Sequence, residues 1–107
     1  LPLSPGSFML SLRTMLDRGA AGDMTLTAAF YIGPARFIAR LENGQMPVER
    51  GEMPAPDLTF KSPSAPTLAA VFYGGLSPSD AGVEIAGDEA LMRRFTDCFN
   101  LPVKQAQ

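Results

Sequence analysis

The sequence predicts an α+β fold, with a mainly antiparallel five-stranded sheet covered on one face by helices. Apolar residues recur with a helical period in the first, middle and last segments, and with period two in the segments between them. The strand segments follow one another and do not alternate regularly with helices. The 107 residues, 46% of them hydrophobic, suit one domain with its own core. We therefore expect a single domain over residues 1–107, excised from the C-terminal part of a longer chain.

The first predicted helix spans residues 8–18. Its apolar residues, which recur at helical spacing, are Phe8, Leu12, Met15 and Leu16. Gly19 follows, and we expect it to end the helix because glycine accepts a positive φ without a Cβ clash.

Period-two patterns predict the next three strands, at residues 24–32, 36–41 and 46–48. Asn43-Gly44 between the second and third is a strong hairpin signal, because both residues tolerate positive φ. Pro47 has no N–H to donate, which indicates an edge strand or a bulge. The large apolar residues of the first two strands include Phe30, Ile32 and Phe37.

Prolines recur through the middle of the chain. Residues 51–57 are proline-rich and predict a loop or an extended connection, and residues 58–60 predict a short strand. Ser62 or Ser64 is expected to cap a helix that contains Leu68 and Phe72 and ends at Gly74-Gly75.

The last third is predicted to contain a short helical turn, a strand and a helix. Ser77 followed by Pro78 is typical of a helix start, and residues 83–85 alternate as a strand does. Asp88 is expected to cap a final helix over residues 89–100, where its negative charge suits the helix dipole. The large apolar residues of that helix include Met92, Phe95 and Phe99.

The composition excludes several kinds of site. The sequence has no histidine and one cysteine, Cys98. This chain alone therefore forms no Ser-His-Asp triad, no Cys-His dyad, no histidine metal site and no internal disulfide. Cys98 lies on an apolar helix stripe and is expected to be a buried, inert thiol. The carboxylates at 42, 49, 52, 88 and 89 are interpreted as solvated or capping groups, so we expect no catalytic residue, no metal and no cofactor.

Charge and hydropathy bear on partners and location. The net charge is −2 and the cations are scattered, so we expect no direct nucleic-acid contact by this domain. No apolar run approaches the roughly 18–20 residues of a membrane span, and no signal-peptide pattern is present. One cysteine fits a reducing compartment. Together these features predict a cytoplasmic protein.

Several segments in order resemble the sterol carrier protein type 2 domain family. They are Tyr31-Ile32-Gly33, Phe37 to Gly44, Asp57 to Phe60, Ala65 to Ala70, Phe72 to Gly75, Val83 to Asp88 and Arg94 to Pro102. The resemblance covers nearly the whole chain. It implies a five-stranded sheet covered by helices with an apolar tunnel between them, and a protein that carries or senses lipids. The proline-rich stretch 47–56 departs from the family pattern and is expected to distort one edge strand.

A second, narrower resemblance concerns the kind of longer protein in which this domain occurs. Leu3-Ser4-Pro5 followed by Leu12-Arg13-Thr14 is similar to the start of this domain in bacterial transcription regulators of the HxlR type. It implies an upstream winged helix-turn-helix domain as partner, with a hydrophobic small molecule or lipid as effector. Two alternatives stay open: a structural module that dimerises or binds proteins without a ligand, and an accessory domain of an enzyme such as an alkyl sulfatase.

The candidate ligand site is an apolar pocket. The residues expected to line it are Phe8, Leu12, Met15, Leu16, Phe30, Ile32, Phe37, Leu68, Phe72, Tyr73, Met92, Phe95 and Phe99. The same residues also suit an ordinary filled core, and the sequence does not distinguish the two arrangements. The hydroxyls of Tyr31 and Tyr73 are candidates for orienting a ligand.

Overall fold

Five strands form one sheet in a computed structural model that describes residues 3–99. The sheet order is β3-β2-β1-β4-β5. The strands are β1 (Leu26–Ile32), β2 (Ala35–Leu41), β3 (Val48–Arg50), β4 (Leu58–Ser62) and β5 (Glu84–Gly87). The central pair β1–β4 is parallel, and the pairs β1–β2, β2–β3 and β4–β5 are antiparallel. The predicted α+β fold with a mainly antiparallel sheet is confirmed.

The hairpin between β2 and β3 turns at Asn43-Gly44 as predicted. Asn43 has φ 55° and Gly44 has φ 71°, and the backbones of Glu42 and Gln45 exchange two hydrogen bonds across the turn. Positive φ at both central residues matches the right-handed twist of the flanking strands. The third strand begins two residues later than predicted, at Val48, because Pro47 has no N–H for the ladder. β3 is an edge strand, in agreement with the expectation from that proline.

The proline-rich segment 51–57 connects the edge strand β3 to β4 across the sheet. The parallel β1–β4 pair requires such a crossover. The segment crosses the face opposite Phe30, where the Tyr31 hydroxyl donates to Glu52 at 3.2 Å. Asp57 ends the crossing, and its carboxylate accepts from the Thr27 N–H at 2.8 Å. On this outer face Ile38 is only 3% exposed, although it alternates with arginines.

The N-terminal helical region differs from the prediction of one helix that Gly19 ends. Helix α1 spans Pro5–Met15, and a second short helix, α2, spans Arg18–Ala21. The reason is Asp17, whose side chain accepts from the Ala20 N–H at 3.1 Å and so begins a new turn. Gly19 therefore lies inside α2.

Two of the three remaining helices begin at a side-chain cap. Helix α3 (Ala65–Phe72) begins after Ser64, but the side chain of Ser64 makes no cap hydrogen bond to the helix backbone. Helix α4 (Pro78–Ala81) begins after Ser77, whose hydroxyl accepts from the Asp80 N–H. Helix α5 (Glu89–Thr96) begins at Asp88, which accepts from the Leu91 N–H at 2.8 Å. A 3-10 turn at Asp97–Phe99 replaces the predicted end of α5, and Asn100 lies outside the described residues. Among residues 3–99, no helix has the length and apolar character needed to cross a membrane.

Six phenylalanines fill the space between the helices and the inner face of the sheet, and each is 0% exposed. They are Phe8, Phe30, Phe60, Phe72, Phe95 and Phe99. The ring of Phe72 lies at the centre, with its centroid within 6.1 Å of the other five. Phe30 and Phe60 stack at 4.9 Å across the parallel strand pair. We call these six residues the phenylalanine cluster. It joins α1, α3, α5 and the sheet into one core.

We expect Phe72→Ala to lower the free energy of unfolding by about 3–5 kcal/mol, because it removes a fully buried ring and leaves a cavity among the others. Denaturant unfolding followed by circular dichroism measures this change. Leu10→Ala is the matched control, since Leu10 is 60% exposed on α1 and its change is expected to stay within about 0.5 kcal/mol. Equal losses in the two variants would contradict the central position of Phe72.

Candidate functional site

The residues predicted to line a pocket divide by their burial. Nine are buried and belong to the continuous core: Phe8, Leu12, Phe30, Ile32, Phe37, Leu68, Phe72, Phe95 and Phe99. Leu16, Tyr73 and Met92 are partly buried against that core. Met15 is 37% exposed at the end of α1. The rings of Phe8, Phe30, Phe72, Phe95 and Phe99 contact other phenylalanine rings, which is typical of a closely packed core.

An open cleft lies beside this core, between α5 and the segment from α3 to α4. Its volume is about 700 Å³, within the range typical of small-molecule sites. Six apolar side chains contribute to its walls: Val71, Leu76, Pro78, Val83, Ile85 and Met92. We call this space the α3–α5 cleft. Its volume and its apolar walls make it the candidate functional site.

The backbone after α3 places Leu76 at the cleft. The N–H groups of Gly74 and Leu76 both donate to the Ala70 carbonyl, at 3.1 and 3.0 Å. Gly75 adopts φ 72°, which turns the chain away from the helix axis. A Cβ on Gly74 would lie 2.8 Å from the Ala70 oxygen, so this close return requires glycine. The turn leaves Leu76 43% exposed.

The opposite wall comes from β5 and α5. Ile85 pairs with Phe60 of β4, so its side chain lies on the helix-covered face of the sheet. Val83 directly precedes β5 and is buried in the core. Met92 is half-buried on α5 and contacts both the core and the cleft. Met92 is the one residue of the predicted pocket that lines this cleft.

Charged residues of α5 border the cleft. Glu89 and Arg93 form a salt bridge at 2.9 Å, with side chains 73% and 70% exposed. Such an exposed pair contributes little to stability. Asp97 and Thr96 continue the same border. The cleft thus has an apolar floor and a polar, solvated rim, which suits an amphipathic ligand.

The other apolar residues of the cleft were not predicted as site residues, because their local sequence patterns are weak or point to the core. Leu76, Val83 and Ile85 lie in short segments that have one or two large apolar residues each. Val71 lies in the predicted middle helix, of which the predicted pocket includes Leu68 and Phe72. The period-two pattern at 83–85 was the available signal. It predicts that Val83 and Ile85 face the same side, but not that this side is left open.

Tyr73 connects α1 to α3. The Ser11 hydroxyl donates to the Phe8 carbonyl at 2.7 Å, so its single hydrogen is engaged and the Tyr73 hydroxyl donates to it at 2.6 Å. The tyrosine ring lies 6.0 Å from Phe8. Burial raises the pKa of Tyr73 above its ordinary value. Tyr73 therefore stabilises helix packing with its hydroxyl.

Tyr31 lies on the outer face of the sheet, away from the α3–α5 cleft. It is flanked by cations from both neighbouring strands, with Arg36 at 4.6 Å and Lys61 at 5.5 Å from the ring centroid. Its hydroxyl is engaged by Glu52. Tyr31 and Tyr73 were the predicted ligand-orienting groups, and both hydroxyls form hydrogen bonds with other side chains of the protein.

Cys98 is buried, as predicted, with 1% of its surface exposed. Its thiol donates to the Arg94 carbonyl at 3.3 Å. Burial raises the pKa of Cys98, and the charges of Asp17 and Asp97 raise it further. A thiol with a raised pKa is a poor nucleophile at neutral pH.

The carboxylates have structural contacts. Asp17, Asp57 and Asp88 accept backbone N–H groups, and Glu49 pairs with Arg40 at 3.6 Å. Within residues 3–99, no three carboxylate, cysteine or histidine side chains form a group that could hold a metal ion.

No protein-family model and no curated protein matches the sequence. Solved structures do match it. The stereoselective inverting sec-alkylsulfatase Pisa1 from Pseudomonas sp. is 23% identical, with a TM-score of 0.79 over 94% of this chain. The chain spans only 17% of that enzyme.

Two smaller proteins match over most of their own length. The ubiquinone synthesis protein UbiJ, a sterol carrier protein 2 domain, is 17% identical with a TM-score of 0.65, over 89% of this chain and 86% of its own. The palmitated sterol carrier protein 2-like 2 of Aedes aegypti is 15% identical with a TM-score of 0.64, over 88% and 92%. The chain therefore has the fold of sterol carrier protein 2 domains.

We expect Tyr73→Phe and Ser11→Ala each to destabilise the protein by about 1 kcal/mol, with a coupling energy of similar size, because both remove one part-buried hydrogen bond. A double-mutant cycle from urea unfolding at pH 7 measures the coupling. Additive losses would contradict the bond.

The hydrogen-bonded pair Ser11 and Tyr73 also predicts that the free energy of unfolding depends on pH. Because the folded-state pKa of Tyr73 exceeds the ordinary value of 10.0, the stabilising effect of the protonated phenol is present below pH 10. It is lost as the pH rises through the folded-state pKa. The stability difference between the wild type and Tyr73→Phe should therefore shrink above pH 10.

Proposed function

We propose that this domain binds one hydrophobic or amphipathic small molecule, non-covalently and without catalysis, in the α3–α5 cleft. The observation that carries this proposal is a cleft of about 700 Å³ with apolar walls, which lies beside the buried phenylalanine cluster. Removing apolar ligand surface from water is the driving force.

The fold supports this proposal. Among the solved structures of the same fold, one is a palmitated protein and another takes part in ubiquinone synthesis. Palmitate and ubiquinone share a long apolar chain with a polar end. An apolar floor beside a polar rim provides a complementary surface for such a molecule.

The side chains present suit non-covalent binding of a ligand that is not chemically changed. The sequence has no histidine, its cysteine is buried with a raised pKa, and the carboxylates described above are engaged as caps or ion pairs. The proposal therefore assigns the side chains of the cleft to containment and orientation.

Two kinds of longer protein are candidates for containing a ligand-binding domain of this type. The likeness of residues 3–14 to bacterial regulators favours a C-terminal effector domain, in which an occupied cleft shifts α5 and so biases an attached DNA-binding domain. The TM-score of 0.79 to the alkylsulfatase favours an accessory domain that presents an alkyl chain to an enzyme. The genomic sequence upstream of Leu1 discriminates between them, because the first requires a winged helix and the second a metallo-hydrolase domain.

The alternative to ligand binding is a module that dimerises or binds proteins without a ligand. This alternative predicts that the α3–α5 cleft of the purified domain holds no ligand. Native mass spectrometry of the purified domain, followed by lipid extraction, distinguishes a retained small molecule from a clean apo mass.

We expect the purified domain to bind palmitate or hexadecanol, and Leu76→Ser to weaken this binding about fivefold, since it removes part of an apolar wall without disturbing the core. Fluorescence or calorimetric titration measures the affinity.

The matched control is Leu10→Ser, the same substitution on an exposed residue of α1 that does not line the cleft. Its affinity should stay within about twofold of the wild type. Failure of the folded wild type to bind either probe would overturn the ligand proposal and favour the protein-interaction module.

A further inference from the structure

A second cleft lies between the α1–α2 junction and the β2–β3 hairpin. Its volume is about 340 Å³. Its lining includes two arginines, Arg13 and Arg18, and no carboxylate among the described residues. In a chain of net charge −2, this is a local concentration of positive charge.

The two arginines differ from most others in the domain. Arg36 donates to backbone carbonyls, Arg40 and Arg93 form salt bridges, and Arg50 lies over the ring of Phe37. Over residues 3–99, Arg13 and Arg18 form neither a salt bridge nor a side-chain hydrogen bond. Their guanidinium donors therefore remain available to a ligand.

The local fold brings these arginines to one place. Arg13 is in the last turn of α1, and Arg18 begins α2 directly after the cap residue Asp17. The stem of Arg18 lies close to the hairpin turn, since a Cβ built on Gly44 would lie 3.8 Å from its Cβ and Cγ.

The rest of the lining completes a site for a small anion with an organic part. Thr14 and Gln45 add polar side chains, and Leu16, Met46 and Pro47 add apolar surface. Met46 is 2% exposed and belongs to the hydrophobic core, so the core supports that wall. Planar guanidinium groups bind tetrahedral oxyanions with paired hydrogen bonds, and two of them match a dianion.

We propose that this cleft, the Arg13–Arg18 cleft, binds a phosphomonoester dianion, either of a soluble metabolite or of a lipid head group. It shares no lining residue with the α3–α5 cleft, so this inference goes beyond the proposed function and does not depend on it.

The test uses three probes: inorganic phosphate, glycerol 3-phosphate, and phosphatidylcholine vesicles with or without phosphatidic acid. We expect the wild type to bind at least one of the phosphate-bearing probes, more weakly as NaCl is added. Arg13→Gln and Arg18→Gln should each weaken that binding about fivefold or more. Binding of the soluble phosphates identifies a metabolite, and binding only to phosphatidic acid vesicles identifies a head group.

The matched control is Arg94→Gln, which removes the same charge from an exposed position outside the cleft. Its binding should stay within about twofold of the wild type. Equal weakening by Arg94→Gln would mean that the net charge and not the cleft attracts the anion, and would overturn the proposal. The absence of binding to every phosphate-bearing probe by the folded wild type would also overturn it.

Discussion

The packing around Phe72 is the constraint on which the rest of the structure depends. Its ring contacts five other phenylalanine rings, which come from α1, α5, the 3-10 turn and the two central strands. The helices therefore share one side of the sheet and leave the other to the proline-rich crossover. These rings occupy space between the helices and the sheet, and the α3–α5 cleft lies beside them. The turn after α3 and the short strand β5 form walls of that cleft.

The same arrangement bears on the apolar tunnel that the family resemblance implies. The family resemblance implied an apolar tunnel between sheet and helices. In this chain the nine buried residues that would line it pack against one another, and the open apolar surface lies at Leu76, Ile85 and Met92. The fold sets the order and direction of the elements, whereas side-chain volume decides where space is left.

Much of the fold followed from local signals. The hairpin at Asn43-Gly44 and the caps at Ser77 and Asp88 depend on backbone preferences of single residues, so the sequence predicts them well. The break between α1 and α2 was missed because Asp17 competes as a cap with a continuing apolar pattern. The candidate site was predicted only through Met92. Whether apolar residues fill a core or border a cleft depends on contacts between distant segments, which periodicity does not contain.

The central claim is that an apolar ligand lies in the α3–α5 cleft and leaves the phenylalanine cluster intact. Intermolecular nuclear Overhauser effects, measured between the alkyl chain of bound palmitate and the isotope-labelled protein, test it most directly. The account predicts contacts to the methyl groups of Leu76, Ile85 and Met92. Contacts to the rings of Phe30 and Phe60 would contradict it, because they would show that the ligand enters the core between the sheet and the helices.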